Sequence, residues 1–145
     1  MNITMNEEHL ARVCEETTYQ EGVREGNRLK LVVMSSGRYR QKCIGLAHNQ
    51  IKVSKRVYII KDGKTWRTYI NPTIVERQGE SFENEEGCMS YKTRNVVKRW
   101  KSVVVRHLTK DGYVEETFNN KMAIVHQHEN DHLNGLDIHH QPQGV

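Results

Sequence analysis

Near its C-terminal end the chain reads His128-Glu129-Asn130-Asp131-His132, a spacing that makes most sense on an α-helix. Residues four apart lie on one helical face, so the two imidazoles can converge on one metal ion with Glu129 beside them. In this HExxH arrangement the glutamate handles protons for water at the metal. Three fixed letters also arise by chance, and a helical histidine is often a polar surface residue, so the segment alone leaves both readings open. Asn119 or Asn120 is the expected N-cap and Gly135 the expected C-cap. Ile124 and Val125, four and three residues before His128, fall on its side of the helix. They can line a pocket, belong to the helix-to-sheet core, or do both. His126 is two residues away and points elsewhere.

The rest of the chain alternates between helical and strand patterns. Asn6-Glu7-Glu8 opens a short helix with Leu10, Val13 and Cys14 on one face. A second helix is expected within 20–36, with Val23, Leu29, Val32 and Val33 as its apolar side and Ser35-Ser36-Gly37 as its stop. Arg56–Ile60 and Thr65–Ile70 flank the turn Lys61-Asp62-Gly63-Lys64, and Ser102–Leu108 and Tyr113–Phe118 repeat that layout around Lys110-Asp111-Gly112. Further strand signals occur at Thr73–Glu76 and Val96–Trp100. The expectation is one α+β domain over residues 1–145, with antiparallel sheets packed around a central C-terminal helix and helices at the N-terminal end.

Apolar residues make up 36% of the chain and charged residues 28%, as in a soluble globular protein. The apolar runs are too short for a membrane span and the N-terminus has no signal-peptide pattern, so the expected location is the cytoplasm. The net charge of +4, from 22 basic and 18 acidic residues, suits mixed solvated faces as well as an acidic partner or ribosomal RNA. Three widely spaced cysteines, Cys14, Cys43 and Cys88, argue for free thiols rather than a disulfide framework.

One of those thiols completes a ligand set. Cys88, in Glu86-Gly87-Cys88-Met89-Ser90, would join two neutral imidazoles and leave a tetrahedral metal one open position for water. Its competing fate is that of a small buried hydrophobe. In Cys43-Ile44-Gly45-Leu46-Ala47-His48-Asn49-Gln50, Gly45 permits close backbone approach and Gln50 offers an amide donor for a developing oxyanion. That segment alone is a weak loop-and-strand signal.

Taken together, CIGLAHNQ, EGCMS and QHENDH resemble, in order, the GxGxAAxQ, EGCxS and QHExDH motifs of the peptide deformylase family. The likeness continues through Leu133-Asn134-Gly135, and Ile70-Asn71-Pro72 and Val103-Val104-Val105-Arg106 support it. It implies hydrolysis of the N-formyl group from the formyl-methionine of nascent peptides, releasing formate. Cys88, His128 and His132 would bind the metal, ferrous iron first, with zinc or nickel able to occupy the site. Glu129 would be the general base and acid toward water activated there. Gln50 and the Met89 backbone N–H would hold the oxyanion. Ile44, Gly45, Gly87, Ile124 and Val125 would contact substrate, and Arg99 would pair with Asp131 to steady the metal-bearing helix.

The first motif departs from the family pattern. Cys43 replaces glycine, His48 replaces alanine, and Asn49 stands where proline or threonine is usual. Cys43 is expected to narrow the cleft or expose a second oxidisable thiol; His48 is expected to pack or hydrogen-bond beneath the loop. Ten residues follow Gly135, whereas longer family members carry a further C-terminal helix, associated in bacterial forms with ribosome attachment; that mode of docking is not expected here, and a transient ribosome association is. A monomer is expected, with a compact phage-borne or organellar form compatible with these departures. Two other classes fit these residues less well. A metzincin-type peptidase would need a third histidine where Ile138 stands, and it leaves Cys88 unexplained. A deformylase-like binding module has no chemical need for Glu129, Gln50 and three ligands.

Overall fold

The computed structural model describes residues 2–142. A 22-residue strand, β3 (Thr65–Glu86), is the backbone of the fold, with β2 (Val57–Asp62) on one side and β4 (Asn95–Thr109) on the other. The short β1 (Gly45–Ala47) and β5 (Gly112–Asn119) close the ends, and all neighbours are antiparallel. The two expected hairpins are present. Instead of separate sheets, hydrogen bonding runs through one five-stranded sheet. Register shifts between Ile70/Thr73, Ile74/Glu76 and Gln78/Ser81 break the ladder, which lets one long strand bend. The strand signals at Thr73–Glu76 and Val96–Trp100 are therefore parts of β3 and β4.

Alternation along β2 decides where the helices sit. Val57 and Ile59 face a cluster with Leu29, Val32 and Val33 of α2 (Tyr19–Met34), while Tyr58 and Ile60 face one with Val125 and Leu133 of α4 (Asn120–Leu133). A strand covered on both faces reads as a continuous apolar run, which Val57–Ile60 is. The structure places α2 and α4 on opposite sides of this part of the sheet.

Some expected details differ. The first helix, α1 (Glu7–Leu10), is capped by Asn6 but stops at Leu10; Val13 is 65% exposed, and Val13 bridges to Asn134. Cys14 N–H donates to the Leu133 carbonyl at 2.8 Å, so this segment ties down the end of α4. A helix not anticipated, α3 (Gly37–Lys42), follows α2 with Ser36 as its cap. Asn119 is the N-cap of α4, without a side-chain hydrogen bond, and Gly135 takes φ +74° just past its end. Among the described residues, no helix is long and apolar enough to cross a membrane.

The buried face of α2 includes two residues invisible to a hydrophobicity reading. Gly22 and Gly26 press against β3, and a Cβ on Gly26 would lie 2.4 Å from Thr68 Cγ2 and 2.5 Å from its Oγ1. Val23, expected on this face, is 37% exposed. Gly26→Ala should therefore destabilise the protein by about 1–3 kcal/mol through overpacking, despite a gain of up to about 1 kcal/mol in helix propensity. Urea unfolding of Gly26→Ala and of Gly26→Ala/Thr68→Ala tests the contact. The second substitution should recover most of the loss, and additive losses would remove this explanation.

Candidate metal centre

Three segments meet where β3 ends, β1 leads into a turn and α4 crosses the sheet. Their donor atoms, on Cys88, His128 and His132, all lie within 4.8 Å of one another. Cys88 Sγ is 3.4 Å from His132 Nε2. A tetrahedral metal with ordinary sulfur and nitrogen bonds separates such donors by roughly 3.5 Å. His128 uses Nδ1 to meet Glu86 Oε1 at 2.9 Å, which leaves Nε2 for a ligand. The rings of His128 and His132 stand 5.1 Å apart, on the face the spacing specifies.

Electrostatics supports the same fit. Burial pushes the Cys88 thiol up, but the positive His132 and His128 rings outweigh it and bring the thiol down to about 5. Burial works against a charge on either histidine, yet His128 is held well above its ordinary value by Cys88 and Glu86, and His132 is raised by Cys88. A divalent cation among the same three donors would supply a positive partner for the thiolate. Two buried polar atoms here, Glu129 Oε1 and His132 Nδ1, have no hydrogen-bond partner among the described residues. The donor set and the unpartnered Glu129 Oε1 fit a bound metal and a solvent molecule beside it.

Glu129 lies within the site, with burial first and then the negative Cys88 and Glu86 raising its carboxyl to about 6, against the pull of the two histidines. Its carboxylate leaves no room opposite: a Cβ on Gly45 would fall 2.6 Å from Glu129 Oε2. Any side chain at position 45 would have to push the Glu129 carboxylate aside.

The turn following β1, a 3₁₀ segment over His48–Ile51, aims Gln50. Gln50 Oε1 accepts from Ala47 N–H at 2.9 Å, and Nε2 donates to Ser90 Oγ at 3.1 Å while lying 3.6 Å from Cys88 Sγ. Asn49, 0% exposed, donates to the carbonyls of Leu10 and His132, joining the turn to the helix that carries both histidines. His48 is buried beneath the turn. Its Nδ1 accepts from Lys55 N–H at 2.9 Å, so Nε2 carries the proton and donates to Glu25 at 2.8 Å.

Arg99 is 3% exposed and sits between two acids. It donates through Nε and Nη2 to Glu86, both at 2.9 Å, and through Nη1 to Asp131 at 2.7 Å. Burial opposes the Glu86 charge, but hydrogen bonds from His128, Arg99 and Asn84 hold the carboxyl down at about 2. Glu86 had no role in the sequence reading; an acid two residues before a candidate ligand was the signal available. The links from Asn49 to His132 and from Ser90 to Gln50 were also not foreseen, because each joins residues at least 40 positions apart.

A cleft of about 990 Å³ opens over the centre and is lined by Ile44, Gly45, Gly87, Met89, Ile124 and Val125. Ile44 is 46% exposed, whereas Val125 also packs in the core. Cys43 does not expose an oxidisable thiol. It is 1% exposed, donates to the Gly45 carbonyl at 3.1 Å, and burial, then Glu129, pushes it up to about 12.

His48 gives the site a testable acid response. Burial lowers its folded-state pKa below the ordinary 6.5, against opposing contributions from Glu25. A depressed pKa means that the contribution to stability is complete above pH 6.5 and is lost as pH falls below it. His48→Gln can accept from Lys55 and donate to Glu25 without titrating. Melting temperatures from pH 8 to pH 5 should show a shallower decline for this variant than for the unsubstituted protein, and identical slopes would reject the account.

Comparison with known proteins agrees with this geometry. The family model for polypeptide deformylase matches residues 3–143. A peptide deformylase of Fusobacterium nucleatum is 40% identical over 136 residues, covering 90% of this chain and 76% of the relative. One from Pseudothermotoga lettingae is 45% identical over 95 residues, covering 64% of this chain and 55% of that protein. Among solved structures, the Met-Ala-Ser-bound class I type b peptide deformylase of Acinetobacter baumannii superposes with a TM-score of 0.81 at 28% identity, covering 97% of this chain and 98% of that one. With its fold, its Cys-His-His donor cluster and a family match over nearly its whole length, this chain belongs to the polypeptide deformylase family of metallohydrolases.

Proposed function

We propose that this chain acts as one catalytic domain that removes the formyl group from formyl-methionyl nascent peptides, with Cys88, His128 and His132 holding one divalent metal. The observation that carries the reading is the convergence of those three donors beside the unpartnered Glu129 Oε1, at the floor of an open cleft. Ferrous iron is the first choice of metal and zinc or nickel the alternatives, since a thiolate and two imidazoles accept all three. Substrates that emerge during translation put the enzyme in the compartment where translation occurs. The reading includes a monomer that meets ribosomes transiently.

The metal, when bound, supplies a Lewis acid that makes water nucleophilic near neutral pH. Glu129 takes a proton from the attacking water and returns one to the departing amine, so that formyl amide and water become free amine and formate. The Gln50 amide is oriented by Ala47 N–H and presents Nε2 toward the ligand side, where it can donate to the oxyanion. The Met89 backbone N–H is assigned as the second donor. Arg99 and Glu86 hold the His128 ring in one orientation, with Asp131 linking the same guanidinium to α4. Ile44, Ile124 and Val125 supply apolar surface for the methionine side chain. Peptide backbone would run along Ile44, Gly45 and Gly87, where a β1 edge and a glycine permit close approach.

Metal content and formate release from formyl-Met peptides separate these roles. Cys88→Ala should lose the metal, whereas Glu129→Gln should keep it and lose about 10²–10⁴-fold in turnover. Gln50→Ala should cost about 10²–10³-fold with metal retained. Anaerobic reloading with iron, nickel or zinc should restore formate release, and silence with all three metals would favour a binding-only domain. Gly45→Ala should also retain metal while lowering kcat by more than about tenfold, because its methyl displaces Glu129. Unchanged kcat there would show that the carboxylate has another productive position.

A further inference from the structure

The cleft over the metal centre is bordered by positive charge from separate parts of the fold. Arg38 and Lys42 come from α3, Lys92 from the segment after Cys88, Lys101 from β4 and Lys121 from the first turn of α4. All five are exposed, and among the described residues none has a carboxylate within 4.0 Å. The three acids lining the same cleft are otherwise engaged. Glu85 lies 3.4 Å from Arg94, Glu86 is bound by Arg99 and His128, and Glu129 is buried in the site. The cleft mouth therefore carries unbalanced cations.

This imbalance is local. Setting these five aside from the 22 basic residues leaves 17, against 18 acidic residues, so the rest of the chain is close to neutral. Folding does not account for the placement. Exposed like charges grouped on one cleft repel one another, and Lys121 sits at the end of α4 where the helix dipole disfavours a cation. A concave wall of one sign concentrates potential and draws in ligands of the other sign.

We infer that this enzyme selects formylated peptides carrying Asp or Glu in the few positions behind the methionine. The inference rests on the deformylase reading above, because that reading puts the formyl end at the metal. An extended peptide advances roughly 3.3 Å per residue, so positions two to four cross the mouth of the cleft rather than its floor. Their side chains meet α3 on one side and the Lys92, Lys101 and Lys121 segments elsewhere around the opening. A single extended strand suits a concave cleft that ends on buried donor atoms; an RNA contact is the competing outcome.

The test uses the metal-loaded full chain and C-terminally amidated peptides. Formyl-Met-Glu-Glu-Ala, formyl-Met-Ala-Ala-Ala and formyl-Met-Lys-Lys-Ala are compared by kcat/KM. The acidic peptide should lead the neutral one by about tenfold in 50 mM salt, as expected for two screened contacts of about threefold each. The lead should shrink below about twofold near 1 M salt, where the screening length falls to about 3 Å. Lys101→Gln/Lys121→Gln should reduce the acidic-to-neutral ratio, and Arg38→Gln/Lys42→Gln should do so independently. Turnover of the neutral peptide with no charge preference would overturn this inference while leaving the deformylase reading intact. Absence of turnover with all peptides would count against that reading instead. Anisotropy binding of labelled Met-Glu-Glu-Ala and Met-Ala-Ala-Ala then decides the charge preference without catalysis, and equal affinities would overturn it. Tight binding of a short single-stranded RNA, with acidic and basic peptides bound alike, would make the surface a nucleic-acid contact and also reject the inference.

Discussion

The buried carboxylate of Glu86 holds the catalytic half of this molecule together. It lies at the end of β3, takes two hydrogen bonds from Arg99 on β4 and meets the His128 ring on α4. Arg99 extends the connection to Asp131, one turn further along α4 from His128. Burying such charges is costly, and breaking one member leaves the others unpaired, so the network stands or falls as a unit. Its geometry sets the angle at which α4 presents both histidines and keeps Nδ1 of His128 away from the ligand side.

The other half of the centre depends on close contact. Glu129 occupies space that a side chain at position 45 would fill, so glycine there lets β1 approach α4 with the carboxylate in place. The turn after β1 then places Gln50 between Ala47 and Ser90, close to the Cys88 sulfur. Asn49 and His48 brace this turn from opposite sides, one against α4 and the other against Glu25 of α2. The departures from the family pattern at these positions thus have structural partners. They support the turn, while Cys43 packs into the core cluster.

Much of the local architecture was legible from pattern. The 128–132 spacing identified the helix and the face its two histidines share, and the two Asp-Gly turns identified the hairpins. Less was legible where the governing signal was absent or contradictory. Gly22 and Gly26 carry no hydrophobicity, yet they form the closest part of the α2 face. Conversely, Val13 looked like an interior residue, but its helix ends three positions earlier and leaves it in solvent. Separate strand signals merged into β3 and β4 because bulges allow pairing to continue through irregular register.

The sequence by itself determined the donor types, their order and the helix that carries two of them, because helical periodicity and ligand chemistry are local properties. It also determined, through resemblance, which family those motifs point to. Only the tertiary structure decided that Cys88 reaches the histidines, that Glu86 is the acid behind His128 and that Gly45 makes room for Glu129. It also decided that five cations from separate segments border one cleft. These are through-space relations among distant positions. They depend on strand bending and helix placement, which packing of the whole core sets and no local pattern encodes.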